Sequence, residues 1–291
     1  MIRRRFLHSS ALVASSIASL LPQAKVRAQE SDFAKKLRES VLSPSELVPI
    51  APSIAPPPPS PLERYAWKLG IVTTTFWVGE KPCKRNPVPN STSSWDPKWA
   101  EHYGGTDEPE RGNRANFLPV GFVPQLNPFY VALPYNDMMH GELKAEASLV
   151  VPWFKEAYQG PGKSVVKDRW IAIRFNGRTV YAQWEDCGPF RTDHWQYVFG
   201  AERPKPNLNQ GAGLDVSPAV RDFLGMNDTD VTDWKFVEFR DVPPGPWSLH
   251  GENNTFVLLQ RQQQERLAKA TGTLAPGSLS PVSGITPSVA R

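Results

Sequence analysis

Apolar and polar positions alternate most regularly between residues 170 and 184. Trp170-Ile171-Ala172-Ile173-Arg174-Phe175 reads as a strand, Asn176-Gly177 as a two-residue turn, and Thr179 to Trp184 as the returning strand. Asn-Gly populates the positive φ angles of a type I′ turn, whose twist matches paired strands. Gly70 to Trp77, rich in β-branched residues, is a further strand, and Phe129 to Leu133, Gly213 to Val216 and Trp234 to Phe239 are others. One short helix is punctuated at both ends: Ser217 caps it, Pro218 takes the first helical position, and Gly225 ends it after Leu224. Asp215 therefore sits where a strand hands over to a helix. The stretches from Lys81 to Leu126 and from Gly141 to Lys167 read as insertions decorating a β core. Few connections resemble the long helices of a parallel α/β sheet, so the pattern predicts an all-β domain over residues 62–251.

The two ends of the chain read differently. Arg3, Arg4 and Arg5 precede Phe6-Leu7 and a mildly apolar run to Leu21, and Val26-Arg27-Ala28 supplies small residues for cleavage. This pattern resembles a twin-arginine export signal over residues 1–28 and implies a periplasmic or secreted protein. A membrane anchor is the competing reading, but the run is shorter than the ~20 residues that span a bilayer, and no stable span is expected after cleavage. Residues 29–61 hold a short possible helix, Ser31 to Val41, and a Pro-rich spacer ending in Pro56-Pro57-Pro58-Pro59-Ser60-Pro61. Residues 252–291 read as a polar helix (Asn253 to Ala270) followed by a disordered tail.

Removing the signal changes the charge picture. The formal net charge is +4, and residues 1–28 hold five Lys and Arg and no acid, so +4 less 5 leaves −1. No electrostatic footprint for nucleic acid remains. All ten tryptophans lie between Trp67 and Trp247. His102, His140, His194 and His250 show no metal-ligand spacing and no phosphate-binding glycine motif occurs, so no metal and no cofactor is implied. Nothing in the chain points beyond a monomer.

The two cysteines, Cys83 and Cys187, in an exported chain read most simply as one disulfide; the alternative is a cysteine nucleophile partnered by His194. Bonded cysteines have Cα atoms within ~7 Å, so a bridge would hold Glu80 and Asp186 on one rim of the domain.

The chemistry-bearing stretch is Glu185-Asp186-Cys187-Gly188-Pro189-Phe190, followed later by Gly213-Leu214-Asp215-Val216-Ser217-Pro218-Ala219-Val220 and Leu224-Gly225. In this order the two motifs resemble those of the rare lipoprotein A family, which has Asp-Arg-Gly-Pro-Phe and an Asp-Leu-Ser-x-x-Ala step ending in Leu-Gly. The resemblance covers about 70 residues, Trp170 to Phe239. It implies a six-stranded double-psi β-barrel, the fold shared with expansins, barwin-like proteins and family-45 endoglucanases, with long loop insertions and a short helix after the Asp215 strand. It also implies that the partner is a cell-wall glycan, peptidoglycan or β-glucan. Carried over, Asp186 matches the aspartate of the first motif, and Asp215 that of the second, the general acid of the endoglucanases. The chain departs from these families at Cys187, which replaces an arginine, at Leu214, and at Val78, which occupies the place of the endoglucanase aspartate after Thr74-Thr75-Phe76-Trp77. Glu80 is the candidate to supply that missing acid.

Independently of any family, glycosidic cleavage requires an acid to protonate the leaving oxygen and a second group to stabilise positive charge or activate a nucleophile. A partly buried carboxyl near another carboxylate holds its proton more tightly, which suits the acid role. The candidate catalytic residues are therefore Asp215, Asp186 and Glu80, for a lytic transglycosylase or glycoside hydrolase. A non-catalytic, expansin-like polysaccharide-binding module is the alternative. Each acid also has a structural reading: Asp186 in a turn, Asp215 at a helix start, Glu80 in an exposed loop. Glu185 points to the opposite strand face from Asp186 and reads as solvated. Trp77, Trp184 and Trp195 flank the acids and are candidates to stack on sugar faces, with core packing as the alternative for each.

Overall fold

The computed structural model describes residues 64–83 and 86–271. The export signal, the Ser31 to Val41 helix, the Pro-rich spacer and the tail beyond residue 271 lie outside the described residues. Asn176 and Gly177 have φ of 46° and 75°, so the expected turn joins two strands, here β3 (Trp170–Phe175) and β4 (Arg178–Cys187). Four more strands, β1 (Lys68–Thr75), β2 (Tyr130–Leu133), β5 (Leu214–Val216) and β6 (Thr229–Phe236), complete a closed six-stranded barrel in the order β1-β6-β3-β4-β2-β5. Strand orientation is mixed: β1–β5 and β2–β4 pair in parallel, and the other four neighbours are antiparallel.

The interior is aromatic and aliphatic. Trp184, Trp234, Ile171, Ile173, Val131 and Leu214 are fully buried there, and Trp153, Phe199 and Phe236 join them in ring contacts such as Trp153–Phe236 at 4.8 Å. Edge-on aromatic pairs of this kind add about 0.5–1.5 kcal/mol beyond their area. One polar pair is tolerated inside because it is satisfied: the Thr73 and Thr232 hydroxyls meet at 2.8 Å across β1 and β6. All four residues of β2 are buried. Val131 faces the barrel cluster, whereas Tyr130 and Ala132 belong to a second cluster with Phe76, Val78, Trp99 and Tyr103. A strand covered on both faces reads as a continuous apolar run, as Tyr-Val-Ala-Leu does.

The insertion after β1 supplies the cover. It carries helix α1 (Trp99–Tyr103) and the short ribbon of Arg114–Ala115 with Leu118–Pro119. Helix α2 (Pro218–Leu224) follows β5 as expected: the Ser217 hydroxyl accepts from the Val220 N–H at 3.3 Å, Pro218 is at the first position, and Gly225 closes the helix at φ 73°. Three arginines tie α2 to the insertion. Arg111 Nη1 donates to Asp222 at 2.9 Å, Arg114 lies 2.7 Å from Asp107 and 3.1 Å from Asp222, and Arg221 Nη2 donates to the Pro109 carbonyl at 2.7 Å. The C-terminal helix α3 (Thr255–Thr271) matches the polar helix expected there. Among the described residues, no helix is long and apolar enough to cross a membrane.

Candidate active site

Thr74, Asp215, Ala132 and Asp186 form a single row across four adjacent strands. Thr74 is in register with Asp215, Asp215 with Ala132, and Ala132 with Asp186. Cross-strand partners share a face, so with strands ~4.8 Å apart the two aspartate Cα atoms stand about 10 Å apart, with one methyl group between them. The row exists because of a β-bulge. Val131 pairs with Trp184 but the next residue, Ala132, pairs with Asp186, which leaves Glu185 as the extra residue. The bulge therefore turns Asp186, rather than Glu185, toward this face.

The row lines a cleft of about 1060 Å³, and the insertion contributes Glu80, Cys83, Asn86, Asn90 and Ser94 to the same cleft. All three candidate acids, drawn from β1's exit, β4 and β5, are thus gathered in one place. Trp77 lines the cleft as well. The chain passes close to Asp215 as it leaves Asp186: a Cβ on Gly188 would stand 3.1 Å from Asp215 Oδ2 and 3.6 Å from the Ala132 Cβ. The Gly-Pro of the first motif thereby makes room for the aspartate of the second.

The acids differ in their surroundings. Burial pushes Asp215 from its ordinary 3.8 up to about 7; the Thr74 hydroxyl, hydrogen-bonded to Oδ1, opposes the rise, and the charges of Glu80 and Asp186 add to it. Burial pushes Asp186 up to about 6, opposed by backbone N–H groups including that of Ser94, which donates to Oδ1 at 2.8 Å. Burial also raises Glu80, against the Asn86 amide; Asn86 and Asn90 donate to Glu80 Oε2 at 3.0 and 2.9 Å. Of the three candidate acids, Asp215 is thus the one that keeps a proton nearest neutrality.

Five expectations are corrected. Cys83 and Cys187 both line the cleft but are free thiols, not a disulfide. Each has its own partner: Cys187 Sγ donates to the Tyr135 carbonyl at 3.1 Å, and Cys83 Sγ accepts from the Asn86 N–H at 3.3 Å. His194 does not line the cleft that holds the two thiols; it is buried, with Nε2 3.1 Å from the Glu202 carboxylate. Trp184 is 0% exposed in the barrel interior, where its indole N–H donates to the Asp186 carbonyl at 2.7 Å; it supports the acid from behind and offers no face to a sugar. Trp195 is half-buried against the same core cluster and does not line the cleft. Glu185 is not solvated: at 2% exposure it pairs with Lys167 at 3.2 Å and accepts from Asn253 at 3.0 Å.

Thr74, Ala132, Asn86, Asn90, Ser94 and Gly188 are site residues that the sequence pattern did not single out. No signal in the sequence marked the members from the insertion: Asn90 opens an unbroken polar run, Asn90-Ser91-Thr92-Ser93-Ser94, and Ser94 acts through its backbone N–H. Among the described residues, no group of three or more His, Cys, Asp or Glu is placed to hold a metal ion. No protein-family model matches the chain, and no curated protein matches it.

Proposed function

We propose that this protein is an exported enzyme that cleaves cell-wall glycan, most readily peptidoglycan, by lytic transglycosylase or glycoside hydrolase chemistry. The observation that carries the reading is the row Asp186, Ala132, Asp215, Thr74 lining one cleft with Glu80. A cleft of about 1060 Å³ is of a size to admit sugar rings. The closed six-stranded barrel with two parallel and four antiparallel pairs supports a double-psi arrangement of the rare lipoprotein A kind. The two motifs that carry that resemblance meet in space at Gly188 and Asp215.

In this reading Asp215 is the acid that protonates the glycosidic oxygen, since it holds its proton to about pH 7. Asp186, ionised above about pH 6, stabilises developing positive charge on the sugar. Glu80 takes the role of the acid missing at Val78, which is fully buried in the second cluster and so faces no substrate. A transglycosylase uses the sugar's own hydroxyl as nucleophile, with one acid/base group; a hydrolase directs water with Glu80.

The test is release of soluble fragments from purified sacculi, and from soluble β-glucan, by the full chain and by Asp215→Asn. Wild type should release fragments, with a bell-shaped pH profile whose limbs fall near pH 6 and 7, and Asp215→Asn should lower the rate at least ~100-fold. Retained pelleting with the polymer but no fragments from wild type would instead establish a non-catalytic wall-binding module, the reading favoured by the loss of the acid at Val78.

A further inference from the structure

The insertion reaches the site acids at regular intervals. Asn86 and Asn90 both donate to Glu80 Oε2, and the Ser94 backbone N–H donates to Asp186 Oδ1. One chain segment thus touches two acids that stand on different elements, the task a Cys83–Cys187 bridge would otherwise have performed.

We propose that Asn86 and Asn90 are positioning residues, which hold Glu80 by Oε2 so that Oε1 is the oxygen offered to substrate. The inference rests on the glycan-cleaving reading above for what Oε1 meets, but the clamp itself rests on geometry. Asn90 is an immobile donor. Its backbone brackets the Glu80 turn, accepting from the Gly79 N–H at 2.7 Å and donating to the Glu80 carbonyl at 3.0 Å, and its side chain is buried. Gly79 permits this close approach: it sits at φ 80°, and a Cβ there would fall 2.5 Å from Thr106 Oγ1. The Asn86 amide is oriented by its own oxygen, which accepts from the Val88 N–H at 3.3 Å and so leaves the NH₂ group for Glu80. The turn is further held from below by the Val78 N–H, which donates to Tyr130 OH at 3.0 Å, and by the Asp107 N–H, which donates to the Val78 carbonyl at 2.9 Å. Neither amide reaches Glu80 Oε1, and the Trp77 backbone N–H adds a further hydrogen bond to the carboxyl.

Two neutral donors on one oxygen favour the ionised carboxylate, whereas Asp215 has one hydroxyl donor on its carboxyl and two negative neighbours. The clamp therefore opposes the rise that burial gives Glu80. The other charged or titratable groups lining the cleft are Glu110, Asp228, the two thiols, and the guanidinium groups of Arg111, Arg191 and Arg221.

The experiment compares wild type, Asn90→Ala and Asn86→Ala in the full chain, with two readouts. The first is a ¹³C NMR titration of the Glu80 carboxyl, assigned with Glu80→Gln, which needs no activity. Loss of either donor should raise the proton affinity of Glu80 by about tenfold and lower that of Asp215. The second is fragment release, in which kcat should fall ~10–100-fold while KM stays within about twofold. An unchanged Glu80 titration in both variants overturns the clamp. Should Asn90→Ala fail to fold, Asn86→Ala decides alone, because Asn86 lies half-exposed in a loop. If wild type releases no fragments, the glycan-cleaving reading falls, and the titration still decides whether Glu80 is clamped.

Discussion

On the barrel side of the cleft, Asp186 and Asp215 stand on strands whose other face buries Trp184 and Val216. On the insertion side, Glu80 stands on a turn held by hydrogen bonds from Asn86 and Asn90 and by one from the Val78 N–H to Tyr130 OH, beneath loops pinned by Arg111, Arg114 and Arg221. Register fixes the first pair of acids: neither can move unless the barrel opens. The third depends on a polar network, in which each bond contributes only about 0.5–1.5 kcal/mol net but leaves a costly orphan when broken. Local opening is therefore expected on the insertion side first, with the barrel intact behind it. One wall supplies permanence, and the other supplies the part of the site that substrate could induce or disturb.

The largest effect should come from the barrel. Trp184→Ala removes the biggest buried ring beneath the acid row and should cost about 3–5 kcal/mol in chemical denaturation. Because the barrel carries both walls, fluorescence and circular dichroism should report one shared, lowered midpoint. A loss below ~1 kcal/mol would show that the interior is not what holds the row.

Arg114→Leu should cost somewhat less, about 3 kcal/mol, and should do so locally. The Arg114 side chain is 2% exposed and that of its partner Asp107 is fully buried, so the variant strands a carboxylate that also accepts from Tyr130 OH at 2.9 Å. Hydrogen exchange should accelerate at Gly79, Asn90 and Asp107, whose N–H groups bond within the insertion, while β3 and β4 keep their protection. Equal acceleration in both regions would erase the distinction between the two walls.

What could be read from the chain follows the same division. The β3–β4 hairpin and the capped helix α2 were legible because their signals are local: Asn176-Gly177 at the turn, and Ser217, Pro218 and Gly225 at the helix ends. Strand β6 was expected at Trp234 to Phe239 but runs Thr229–Phe236. Its aspartates disfavour a strand in isolation, yet Asp233 accepts from the Gly70 N–H at 2.7 Å and from Arg174 at 2.8 Å, partners that only the closed barrel brings near. The bulge at Glu185 was invisible for a related reason, since it depends on β2, more than fifty residues earlier in the chain. Simple alternation put Glu185 in solvent; the bulge and Lys167 bury it. The pairing of two cysteines was inferred from compartment and number, neither of which sets the direction of a thiol. The insertion gave least, because hydrogen bonds between side chains far apart in sequence have no period to detect.

The smallest of these effects separates function from stability at the row itself. Asp215 keeps its proton to about pH 7 in the folded chain, against an ordinary value of 3.8. Between those values the folded chain binds more protons than the unfolded one, so the stability contributed is complete below about pH 4 and is lost as pH rises through about 7. Asn in its place has no charge to bury and can still accept the Thr74 hydroxyl bond. Asp215→Asn should therefore match wild type in urea midpoint near pH 4 and exceed it at pH 8, by roughly 2 kcal/mol once coupling to Glu80 and Asp186 is allowed for. The same substitution in a carboxylate that merely caps α2 would cost stability at pH 8 rather than add it. A less stable Asp215→Asn at pH 8 would therefore assign Asp215 to the fold and leave the cleft without its acid.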